Sequence, residues 1–184
     1  MTQMQINNPE ELLKSHFSRA FNLNCTYSVF DTSIEEKLSE DHLKKLIEQY
    51  GDLNRPRDAP NNYNTFLLAR DNISREWFEE NVDKNLINSG YFWYPPNGYC
   101  GWHTNSRGMK YLKRTYFVWA AESDRSFFRT WDGEKITTYW EKAGWNQHTF
   151  KVGMWHCAGS YTNRVSIGFK HLDSYNKDFK ECFI

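Results

Sequence analysis

The stretch Tyr91–Asn105, YFWYPPNGYCGWHTN, decides how the chain is read. An aromatic strand runs into a Pro-Pro-Asn-Gly turn, and the return ends on His103, between Trp102 and Thr104. A second histidine behind a tryptophan, His156, follows 53 residues later, and Arg164 and Ser166 come eight and ten residues beyond it in an apolar-alternating run. Histidine is the commonest metal ligand, and two at the ends of separate strands can share one ion. Asn105 stands two residues past His103, where a strand would turn it to the same side. A carboxylate at that position would complete the two-histidine, one-carboxylate set of iron(II) oxygenases. Arg164 and Ser166 share one face of their strand, with Val165 on the other. A guanidinium there can hold a carboxylate through two parallel hydrogen bonds, with the Ser166 hydroxyl donating beside it.

Upstream of this stretch the texture is helical. Asn8-Pro9-Glu10-Glu11 is a helix start, and Leu12, Leu13, Phe17 and Phe21 then share a face as far as Asn22. A short strand is expected over 25–30. A second helix is expected from Ser33 or Ser39 to Tyr50, with Leu43, Leu46, Ile47 and Tyr50 inward and Gly51 as its stop. After a loop over 52–64, a third helix is predicted over 74–86, carrying Trp77, Phe78, Val82 and Leu86, and Gly90 closes this half.

Downstream, apolar residues alternate and glycines multiply. Strands are predicted over 111–120, 126–131, 136–140, 148–152 and 164–171, with Asp132-Gly133 as a hairpin turn. Helices followed by many short strands predict an α+β, mainly β chain: a jelly-roll-like barrel, the N-terminal helices packed against it and the site in its mouth. The expected organisation is a single domain, 1–184, with a helical support region over 1–90 and the β core over 91–171.

The chain has 184 residues, long enough to bury a core without staples. Basic and acidic residues both number 23, so charge makes no case for nucleic acid or an anionic membrane. No apolar run approaches the roughly 18 residues of a membrane span. The N-terminus lacks a basic-then-apolar leader, which predicts a cytoplasmic, intracellular protein. Four scattered cysteines without a C-x-x-C pair read as reduced thiols. His16, His42, His148 and His171 read as structural histidines, and Trp102 and Trp155 as packing residues facing away from the metal side. No G-x-S-x-G elbow supports a nucleophilic hydrolase.

YPPNGYCGWHTN followed by WHCAGSYTNRVSIGFK resembles the iron(II)- and 2-oxoglutarate-dependent oxygenase superfamily over roughly residues 91–170. The resemblance implies a double-stranded β-helix with His103 and His156 as iron ligands. It implies that Arg164 and Ser166 hold the far carboxylate of 2-oxoglutarate, with Tyr94 as a further contact to it. The implied activity is a dioxygenase that couples decarboxylation of 2-oxoglutarate to hydroxylation of a substrate by dioxygen. Asn105 occupies the carboxylate position and leaves three readings open. It, or a water in its place, completes a working two-histidine site; the position admits an anion, as in the superfamily's halogenases; or the protein is a non-catalytic binding or structural jelly roll. A cupin-type enzyme using another metal is a further alternative.

Overall fold

In the computed structural model, which describes residues 34–51, 63–64, 66–67, 79–105 and 110–175, the strands divide between two five-stranded antiparallel sheets. In chain order the strands are β1 (Tyr63–Asn64), β2 (Phe66–Leu67), β3 (Leu86–Tyr94), β4 (Gly98–His103), β5 (Lys113–Ala120), β6 (Ser126–Trp131), β7 (Ile136–Trp140), β8 (Gly144–Lys151), β9 (His156–Ser160) and β10 (Arg164–His171). The first sheet has the order β1-β4-β9-β6-β7 and the second β2-β3-β10-β5-β8. From β3 to β10 every connection crosses between sheets except the β6–β7 hairpin. This is the winding of a jelly-roll double-stranded β-helix, with no free edge between the strands that carry the site.

Three apolar clusters hold these layers. Between the sheets lie Tyr94, Phe128, Phe150 and Ala158, with Tyr116 and Met154 packed against them. Outside the first sheet, Ile34, Leu38, Leu43 and Leu46 bury against Tyr99, Trp102, Phe127, Trp155 and Cys157. These residues bring in helix α1 (Ile34–Lys37) and helix α2 (Glu40–Tyr50). Ser39 caps α2 by accepting from the His42 amide, and Gly51 ends it at φ 66°, where a side chain would be strained. The expected helix ending at Tyr50 therefore packs against the barrel, and Trp102 and Trp155 lie in this outer cluster. Outside the second sheet, Tyr91, Trp93, Phe117, Val165, Ile167 and Phe169 form the third cluster.

Several boundaries differ from expectation. Residues 79–81 are helical, but the chain turns at Asp83, whose side chain accepts from the Asn85 amide at 2.8 Å, and β3 starts at Leu86. The i, i+4 pair Val82 and Leu86 suits a helix. What overrides it is β10, which pairs along its whole length with β3, from Arg164↔Tyr94 to His171↔Leu86. Gly90 is thus inside a strand and stops no helix. Strand β8 begins at Gly144 rather than His148, because as an edge strand it shows no apolar alternation there. The expected helix over 8–22, the strand over 25–30 and most of the 52–64 loop lie outside the described residues. No helix among the described residues is long and apolar enough to cross a membrane.

Candidate metal centre

His103 ends β4, His156 begins β9, and the two are direct cross-strand partners. Their side chains meet inside the barrel, with ring centroids 4.2 Å apart. A β-bulge makes this possible. Cys100 pairs with Ala158 and His103 with His156, so three steps along β4 match two along β9. Strict alternation would put Cys100 and His103 on opposite faces. The extra residue returns both to the interior, where both line one cavity, and sends Trp102 outward.

Each ring is fixed in the same way. His103 Nδ1 lies 2.7 Å from the Gly101 carbonyl and His156 Nδ1 lies 2.8 Å from that of Met154, in each case two residues back. A carbonyl only accepts, so both Nδ1 atoms carry a proton, and in the neutral ring the lone pair is on Nε2. Burial, and then the neighbouring His103, hold the His156 pKa well below its ordinary value. His156 is also ringed by aromatic side chains, with centroids 4.4 Å away at Phe150, 5.6 Å at Phe128 and 6.5 Å at Tyr116.

Asn105 reaches the pair by an unexpected route. It lies beyond the end of β4 with φ at 55°, the left-handed region that asparagine tolerates. That turn, and not strand alternation, carries its amide to His156, where Nδ2 donates to Nε2 at 2.8 Å. The same nitrogen donates to the Tyr116 hydroxyl at 3.3 Å. Among the described residues, no group of three or more His, Cys, Asp or Glu side chains forms a metal cluster. The convergent donors are two imidazoles and one amide.

Arg164 and Ser166 share the interior face of β10 and line the cavity with Tyr94, His103 and His156. Arg164 is wholly buried, and its fork is filled from within. Its Nε donates to Glu141 Oε2 and its Nη2 to Glu141 Oε1, both at 2.8 Å. Ser126 Oγ also donates to Oε2 at 2.6 Å, and His148 Nε2 lies 2.9 Å from Oε1. Burial pushes the Glu141 carboxyl up, but Arg164 and His148 outweigh it and hold the pKa at about 2. The guanidinium carbon lies 4.5 Å from the Tyr94 ring centroid, and the Tyr94 side chain also acts on Arg164 through its hydroxyl. Arg164 Nη1 is buried and has no hydrogen-bond partner among the described residues. The cavity is small, ≈ 30 Å³ of space open to the centre of a water molecule.

Sequence reasoning missed Glu141. It follows the half-exposed Tyr139 and Trp140 and precedes a lysine, so it reads as part of a solvated turn. The one available signal was indirect: an arginine on an interior strand face needs a counter-charge. His148, read from the sequence as having no comparable partner, pairs with this carboxylate.

No family model matches the chain, and no curated protein matches it. Solved structures similar to it include an oxidoreductase of the 2OG-Fe(II) oxygenase family from Burkholderia pseudomallei, at 10% identity and a TM-score of 0.42 over 52% of this chain and 47% of that one. Oxalate oxidase matches at 12% identity and a TM-score of 0.40, over 79% of this chain and 61% of that one. A cupin domain from Bordetella pertussis matches at 18% identity and 0.34, over 65% of this chain and 97% of that one. The chain thus spans about half the length of the first of these.

Proposed function

We propose that the protein is a metal-dependent oxidoreductase whose ion is held by His103 and His156, with Asn105 as the third donor. The observation that carries this is the matched pair of imidazoles, each locked through Nδ1 onto a backbone carbonyl so that the two lone pairs sit on Nε2. Metal-bound histidines are oriented by such contacts. The donors suit a divalent ion with one adjustment: the Asn105 nitrogen donates to His156 Nε2, and only the amide oxygen can ligate. Iron(II) is the ion we assign, since two imidazoles and one oxygen donor leave coordination positions open. When bound it would supply Lewis acidity and redox chemistry. The chain's own part is to hold the donors, keep the rings neutral and surround them with Phe128, Phe150 and Tyr116, which exclude water.

In its specific form this reading is an iron(II)- and 2-oxoglutarate-dependent dioxygenase. Tyr94, Arg164 and Ser166 support it, because they line the same cavity as the histidines. Glu141 weighs against one part of it, since the fork that would grip the co-substrate already holds a carboxylate. The same contacts favour a second reading, a non-catalytic jelly roll whose interior polar groups satisfy one another. Anaerobic titration with iron(II), or with cobalt(II) as its coloured substitute, separates them. We expect one ion bound per chain and loss of uptake in both His103→Ala and His156→Ala. Absence of uptake by the wild type would establish the non-catalytic reading. Oxygen consumption that requires both iron(II) and 2-oxoglutarate would support the specific form.

A further inference from the structure

We infer that Glu141 is an internal stand-in for a ligand carboxylate: by saturating Arg164 it closes the site to dicarboxylates, and the remaining guanidinium nitrogen is left to a single neutral oxygen acceptor, such as a carbonyl or a hydroxyl. This deepens the reading of the His103–His156 cavity as the reaction site and rests on it.

Four donors converge on the two Glu141 oxygens, two from Arg164 and one each from Ser126 and His148. Glu141 is 0% exposed, as is Arg164, so neither charge is shared with solvent. An isolated buried guanidinium is a strong anion site, but one paired through two hydrogen bonds is electrically neutral as a unit. A second carboxylate on its outer edge would place two negative charges around one positive charge in the barrel interior. Like charges in a shared, poorly solvated site disfavour each other strongly.

What remains is Nη1, a buried donor without an acceptor. Such an atom is costly unless something supplies an oxygen. It belongs to a residue that lines the same cavity as both histidines. 2-Oxoglutarate, unlike a carbonyl or hydroxyl group, would bring two further negative charges into this interior.

The test uses the full chain, free of metal, as wild type and as Glu141→Gln. Each is titrated with succinate, 2-oxoglutarate and neutral acetamide while thermal unfolding is followed. Glutamine keeps the shape of the side chain and gives up the charge, so Arg164 is opened to an outside carboxylate. Dicarboxylates are expected to raise the unfolding midpoint of Glu141→Gln, binding at least about tenfold more tightly than to the wild type. A merely structural Glu141 would lower the midpoint of the variant without making it respond to succinate. Equal dicarboxylate affinity in the two proteins overturns the inference, and so does a folded variant that ignores every carboxylate. If Glu141→Gln does not fold unaided, refolding with succinate is expected to recover it, and equal failure with and without succinate counts against the idea. The wild type alone gives an independent measurement: 2-oxoglutarate binding that is lost in Arg164→Lys would also overturn it. Because no metal is present, these results stand apart from metal uptake at the histidines.

Discussion

Glu141 and Arg164 meet in the barrel interior through two hydrogen bonds of 2.8 Å, both side chains entirely removed from solvent. One residue follows β7 in the first sheet and the other begins β10 in the second, so the ion pair is also a bolt between the sheets. A buried pair of this kind contributes little relative to apolar residues of the same volume, yet the loss of one partner is severe.

Glu141→Gln is accordingly expected to cost roughly 3–5 kcal/mol of folding stability, because Arg164 is left charged and unpaired. The double variant Glu141→Gln/Arg164→Met should lose less than the single one. Urea denaturation of the wild type, both single variants and the double variant measures this coupling. A double variant as unstable as the sum of the singles contradicts it.

Acidification should act in two separate windows. His156 is held below its ordinary value of 6.5, so the unfolded chain binds its proton first, and stability falls as the pH drops beneath about 6.5. His171 moves in the same direction. Glu141 behaves as a depressed carboxylate: its contribution is complete above 4.5 and is lost as the pH falls through about 2. Denaturation midpoints measured between about pH 7 and about pH 5 should decline, and His156→Gln should flatten that decline.

Asn105→Asp should tighten binding of a divalent ion by at least about tenfold, since a charged oxygen replaces a neutral one at the third position. The same change should destabilise the metal-free protein, because the amide proton now received by His156 Nε2 disappears. Cobalt(II) absorption and metal-free melting curves read the two effects separately. Unchanged affinity would remove Asn105 from the ligand set.

Gly159 lies on β9 three residues after His156, and an added methyl would meet Phe127 Cζ at 2.6 Å and Leu38 Cδ1 at 2.9 Å. Gly159→Ala should cost about 1–3 kcal/mol as an overpacked contact of β9 with β6 and with Leu38, just beyond α1. Calorimetry checks the stability, and metal titration checks whether displacement of β9 reaches His156.

Strands β6, β7 and β10 were legible in the sequence to the residue, because alternation and the Asp132-Gly133 turn mark them without help from partners. The β3 boundary was not, since Val82 and Leu86 fit a helix until β10 claims the segment. The order His103, His156, Arg164 brings those residues to one cavity, and their sequence spacing signalled as much. Two features lay beyond any local signal. The bulge between Cys100 and His103 depends on how β4 registers against β9, and Glu141 is buried only because an interior arginine needs it. Register and charge compensation are relations between distant segments, and a single stretch of sequence records neither.

The aromatic enclosure of His156 makes that residue its own spectroscopic probe. With Phe150, Phe128 and Tyr116 around it, the carbon-bound protons of its ring lie in overlapping ring currents and should resonate well away from the ordinary histidine positions. An ion arriving at Nε2, or a shift of one sheet against the other, changes those currents before it changes the global fold. A one-dimensional proton spectrum of unlabelled protein can therefore follow events at the centre of the barrel.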